Sequence, residues 1–261
     1  MLRVLCCALA VLLAFPALAQ ERVADVASRP GVTVRVLAAV PPNPAGTVVL
    51  QTGGDGILNI ADNGRLGALS LNQVVRSRGQ YLAAGFATVV PDIPPDLRQT
   101  PDFLTTAAHA DDLGAVVAFA RTLAEPVYFV ATSNGAISAV ALMTLQSRSL
   151  PDALIITSGV LVSLPGRMAS DRVGDLAKIR VPVLLLSHTL DECPFSAPGD
   201  RIRFRALLTG APRVDLQNLT GGTAVGLGFP AVCDYNHYHG FNGIDDKVTA
   251  AITAWIKSLP H

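Results

Sequence analysis

The stretch Val127 to Ala139, VYFVATSNGAISA, constrains the fold more than any other part of the chain. A run of β-forming residues stops at Ser133, and small residues then open a helix. At such a strand-to-helix corner the two elements pass close together, so small residues are needed on both sides of the serine. Ala131 and Gly135 fill those places, leaving a G-x-S-x-G pattern with alanine in the first glycine position. Serine is also a preferred N-cap residue, so capping of the following helix is the alternative role for Ser133. The choice depends on whether the chain also supplies an acid, a histidine and a glycine loop that can reach the corner.

Residues 1–19 read as a secretory signal peptide rather than as part of the fold. Arg3 gives the positive region, Val4 to Phe15 the apolar run, and Ala17-Leu18-Ala19 the small-residue cleavage site. The run is shorter than the roughly 20 residues that span a bilayer, which favours a cleaved signal over a membrane anchor, and no stable membrane insertion is expected after its removal. A secreted or periplasmic protein is expected. Cys6 and Cys7 leave with the signal, so residues 20–261 keep Cys193 and Cys233 in a compartment that permits disulfides. These residues suit one domain, and the balanced formal charge of the sequence gives no sign of a nucleic-acid partner, so none is expected. The sequence does not fix the oligomeric state.

Strands and helices alternate. Strands are predicted over 32–40, 47–51, 86–90, 127–132, 154–157, 183–187 and 213–219, and helices over 69–84, 105–123, 201–208 and 245–258. Continuous apolar strands alternating with helices define an α/β fold: a mostly parallel sheet covered on both faces. The short interval between Thr157 and Val183 leaves no room for a large lid. In the last helix, Val248, Ile252, Trp255 and Ile256 share one face, which assigns Trp255 to the core.

Ligands in such folds bind outside the carboxyl ends of the strands, and the candidate residues follow strand ends. Gly53 and Gly54, in TGGDG after the strand 47–51, bring backbone N–H groups close enough for a developing oxyanion, with Asn134 supplying a second N–H. Asp191 ends an apolar strand and is the preferred acid, with Glu192 as fallback. In the loop CDYNHYHGF, His239 is the preferred base and His237 the second. His109, His188 and His261 are poorly placed in chain order. Arg76 and Arg78 are candidates for recognising a substrate carboxylate, with ion pairing to Asp111 or Asp112 as the alternative.

The order Ser133, Asp191, His239 is that of the α/β-hydrolases. With Gly53-Gly54-Asp55-Gly56, Asn72, Val75 to Arg78, Thr132-Ser133, Asp191 with Cys193, and His239-Gly240-Phe241, the chain from Thr47 to Ser258 resembles secreted bacterial α/β-hydrolases of the dienelactone-hydrolase-like or esterase type. Dienelactone hydrolases use a cysteine nucleophile where this chain has serine, so their lactone substrate is not implied. The resemblance implies a serine esterase that cleaves small or accessible acyl esters through an acyl-enzyme, with no cofactor.

A Cys193–Cys233 disulfide, preferred to two free thiols, would join the acid and histidine loops; closing roughly 40 residues contributes about 4 kcal/mol in the chain-entropy model. Two rival readings use the same residues. His188, Asp191, Cys193, Cys233, His237 and His239 are candidate zinc ligands for a metal-activated water. A binding protein without chemistry is the other.

Overall fold

The computed structural model describes residues 20–145, 149–164 and 166–260, so the expected signal peptide lies outside the described residues. Eight strands form one sheet in the order β1-β2-β4-β3-β5-β6-β7-β8. They are β1 (Arg22–Ala27), β2 (Thr33–Ala39), β3 (Thr47–Gln51), β4 (Ala87–Pro91), β5 (Val127–Thr132), β6 (Ala153–Thr157), β7 (Val183–His188) and β8 (Val214–Leu219). From β4 to β8 neighbours pair in parallel, while β2 pairs antiparallel with both β1 and β4. The helices are α1 (Gln73–Arg76), α2 (Arg78–Ala83), α3 (Ala107–Leu123), α4 (Gly135–Leu145), α5 (Asp200–Leu207) and α6 (Asp245–Lys257).

Side-chain alternation assigns the two faces of the sheet. Phe129, Ala131, Leu154 and Ile156 point toward α3 and α4, where Val116, Val117, Val140 and Met143 complete one core. Tyr128, Val130, Ile155 and Leu184 point the other way, against Val74, Tyr81, Val248, Ile252 and Trp255. Trp255 is core, as expected, and its indole N–H donates to Asp215. Because helices cover both faces, the central strands β3 to β7 are buried at every residue.

Two local features depart from the sequence expectation. The helix over 69–84 is interrupted: a 3-10 turn (Ala68–Leu71) ends at an extended Asn72, and Ser77 separates α1 from α2. The Ser77 hydroxyl donates to the Gln73 carbonyl one turn back, an arrangement that bends helices. The edge strand β1 was not anticipated, since only Val26 in it is buried and its apolar signal is weak. Between β6 and β7 lie two short 3-10 turns (Ser170–Arg172 and Leu176–Lys178), and no large lid is built there among the described residues.

His109, in the first turn of α3, is buried between the layers. Its Nε2 lies 3.0 Å from the Ser138 hydroxyl on α4, and its ring meets Phe103 edge-on. Burial pushes its pKa down to about 3, with the Arg29 charge adding to the effect. The folded state therefore refuses a proton that the unfolded chain accepts below about pH 6.5, and stability falls as pH drops from there toward 3. His109→Gln, which can keep a hydrogen bond to Ser138, is expected to lose about 2 kcal/mol less stability than the unsubstituted protein between pH 7 and pH 5. Urea denaturation at the two pH values measures this difference.

Candidate active site

Ser133 lies between the end of β5 and the start of α4 with φ of +52°, in the left-handed region. An N-cap residue is usually extended, so this conformation does not fit the capping alternative. The turn is held by its own backbone: the Ser133 N–H donates to the Thr157 carbonyl, and its carbonyl accepts from Ala136 and Val160. The flanking residues must be small. A Cβ at Gly135 would stand 2.6 Å from the Thr52 carbonyl oxygen, and one at Gly53 would stand 2.8 Å from Ser133 Cβ. Gly53 therefore packs directly on the serine. Gly54 lines the adjoining cavity of about 150 Å³, together with Ser133, His239, Asn72 and Tyr235.

Asn134 joins the two sides of the corner. Its side-chain N–H donates to the Gly54 carbonyl at 3.1 Å, and its Oδ1 accepts from Arg167 at 3.2 Å. The glycine loop and the first residue after the serine are thus fixed against each other.

Asp191, His239 and Ser196 form a buried hydrogen-bonded network. His239 Nδ1 lies 3.1 Å from Asp191 Oδ2 and 2.9 Å from Ser196 Oγ, while the Ser196 hydroxyl donates to Asp191 Oδ2 at 2.9 Å. Asp191 Oδ1 accepts the Cys193 N–H. Glu192, the fallback acid, is exposed, whereas Asp191 is buried. Of the two loop histidines, His239 is the one hydrogen-bonded to Asp191, and His237 is buried against Tyr238. His188 is used structurally, with Nδ1 accepting the Leu190 N–H and Nε2 donating to the Gly221 carbonyl. His239 Nε2 is buried and has no partner within the protein, and its residue shares a cavity lining with Ser133.

Cys193 and Cys233 are joined in a disulfide, with Cα atoms 4.7 Å apart. The bond takes both thiolates from the proposed zinc set. Among the described residues, no group of three or more His, Cys, Asp or Glu side chains is arranged to hold a metal ion. The zinc reading is left without its ligands.

Arg76 and Arg78 take the ion-pairing role, with Asp245 and Glu21 as partners. Arg76 pairs with Asp245 at 2.9 Å and donates to the carbonyls of Leu71, Tyr235 and Gly240. It clamps the histidine loop onto α1 and α6. Arg78 pairs with Glu21, and Asp112 is engaged by Arg29. Sequence reasoning missed Ser196, since a serine three residues past a cysteine carries no distinguishing pattern. Arg76 was singled out, but its partners in the histidine loop and α6 are 159 to 169 positions away along the chain.

Known structures share this architecture. A dienelactone hydrolase from Anabaena variabilis superposes with a TM-score of 0.64 at 14% identity, covering 94% of this chain and all of that one. An esterase from Pyrococcus furiosus gives 0.60 at 11% identity, over 92% of this chain and 90% of that one. Carboxyl esterase 2 from Tuber melanosporum gives 0.58 at 12%, over 96% and 90%. No family model matches the sequence, and no curated relative is found. At such identities the likeness establishes the fold, and the chain has the α/β-hydrolase fold expected from its motifs.

Replacing both Cys193 and Cys233 by serine is expected to cost about 2–4 kcal/mol of stability, read from the shift in denaturation midpoint. Since the bond braces the acid loop against the histidine loop, hydrolytic activity should fall even where the variant remains folded.

Proposed function

We propose that the protein is a serine hydrolase that cleaves carboxylic esters through an acyl-enzyme, with Ser133 as nucleophile, His239 as base and Asp191 as its supporting acid. The observation that carries this reading is the polarity of the imidazole. Asp191 and Ser196 both occupy the Nδ1 side, so the nitrogen left for catalysis is the unpartnered Nε2. Ser196 donates its proton to the carboxylate and faces the wrong nitrogen for attack, whereas Ser133 lines the cavity with His239. Ser196 is a positioning residue that, with Asp191, fixes the ring and its tautomer.

In the first step His239 Nε2 removes the Ser133 proton as Oγ attacks the ester carbonyl. The charge that develops on the carbonyl oxygen is met by the N–H of Asn134 and that of Gly53 or Gly54. His239 then protonates the departing alkoxide, and water repeats the sequence on the acyl-enzyme. No step calls on a cofactor. The expected partner is a small-molecule ester, and the disulfide suits export to the periplasm or beyond. No helix among the described residues is long and apolar enough to cross a membrane.

Ser133→Ala is expected to lower kcat on p-nitrophenyl acetate by at least about 10³-fold, because the triad acts as a unit. Ser196→Ala should cost roughly tenfold to a hundredfold, less than Asp191→Ala. A fluorophosphonate should label the protein at Ser133, located by peptide mapping. An adduct on Ser196 would reverse the assignment of the nucleophile, and absence of any adduct would point to a binding protein.

A further inference from the structure

Beside the nucleophile lies a second cavity of about 390 Å³ that shares Gly54 with the first and is lined by Asn134, Ile137, Phe103, Arg167 and Met168. Arg167 is its cation. The backbone holds it in place: its N–H donates to the Leu164 carbonyl in a short antiparallel bridge. The guanidinium carbon sits 3.5 Å from the centroid of the Phe195 ring, and one of its N–H groups donates to Asn134 Oδ1. Stacking on an aromatic face fixes the plane of the guanidinium and leaves its edge for other ligands.

Among the described residues, no carboxylate pairs with this guanidinium, and burial is what lowers its pKa. Asp55 and Asp102 line the same cavity, but both are exposed, and Asp55 Oδ1 accepts the Ile57 N–H. Arg29, Arg76, Arg78 and Arg98 each pair with a carboxylate. Arg201, more deeply buried and likewise without a paired carboxylate among the described residues, donates instead to the Leu185 and Gln217 carbonyls and to Asn218, whereas Arg167 has only the Asn134 side chain. A partly buried charge lacking an ionic partner is costly unless a ligand supplies one.

The direction of the reaction decides which part of an ester would reach Arg167. His239 must protonate the leaving oxygen, so the alcohol portion departs on the side of the histidine cavity. The acyl portion then extends across Asn134 toward the second cavity. We propose that Arg167 is a specificity residue that receives a carboxylate at the far end of the acyl chain, making hemiesters of short dicarboxylic acids the preferred substrates. The inference rests on the Ser133 hydrolase reading for its orientation and adds to it the substrate class.

The test compares matched acyl chains: mono-4-nitrophenyl glutarate against 4-nitrophenyl pentanoate, with the succinate and adipate hemiesters to set the length. The unsubstituted protein should favour one of the hemiesters over its neutral counterpart in kcat/KM. Arg167→Gln should lower that ratio at least thirtyfold, and Arg167→Lys should restore part of it. The ratio separates recognition of the anion from general damage to the site, since such damage lowers both rates together. A readout without turnover is calorimetric binding of monoethyl glutarate to Ser133→Ala, alone and combined with Arg167→Gln, where at least tenfold weaker binding is expected in the double variant. An unchanged ratio or equal binding by the two proteins would overturn the proposal. Arg167-dependent binding without hydrolysis of any ester would leave the anion site standing and remove the hydrolase reading instead.

Discussion

The backbone of Ser133 sits where L-residues rarely go, and the geometry of the site follows from what makes that conformation tolerable. A non-glycine residue at positive φ costs of the order of 1–3 kcal/mol and persists only when its surroundings fix it. Here the surroundings are the hydrogen bonds to Thr157, Ala136 and Val160, together with the absence of side chains at Gly53 and Gly135. Those two glycines let β3, β5 and α4 converge within contact distance of one residue. The sheet's parallel order then delivers the acid after β7 and the histidine after β8 to the same rim. A strained corner and a rigid sheet are thus parts of a single arrangement.

The second half of the site is built differently. The acid and histidine loops have little regular structure, and cross-links hold them in register. The disulfide ties Cys193 to Cys233, Arg76 gathers the carbonyls around the histidine turn, and Ser196 closes the gap between carboxylate and imidazole. The buried Asp191 carboxylate accepts from the Cys193 N–H and the Ser196 hydroxyl besides facing His239. Such satisfaction is what allows a charge to sit inside the protein at tolerable cost.

Much of this was legible in the chain because it depends on short-range pattern. The strand over 47–51, the strand over 127–132 and the corner at Ser133 are local, and the structure places β3 and β5 at the same residues. Asp191 and His239 were singled out through order along the chain, and the structure brings the two side chains together. What could not be read depends on contacts between distant segments. Arg76 carries no mark that distinguishes a substrate-binding arginine from one that grips a loop more than 150 residues away. Ser196 becomes significant only when the disulfide and the turn bring its hydroxyl under the imidazole. The division of the helix over 69–84 was hidden because Ser77 is compatible with helical periodicity while bending the axis.

Residues 221–230, between β8 and the histidine loop, are exposed throughout, with Leu227 and Phe229 among the most exposed apolar side chains. The hydrogen bonds to the His239 ring itself come from elsewhere, from Asp191 and Ser196. The stretch is nevertheless tied to the loop that carries His239: the Val225 N–H donates to the Asn236 carbonyl, the Thr223 N–H donates to the Asn242 carbonyl, and the Phe229 ring meets Phe195 edge-on. A lineage carrying this scaffold is free to repaint the outward side chains of that rim, altering which molecules gain entry, but a change in its length would pull on the loop beneath.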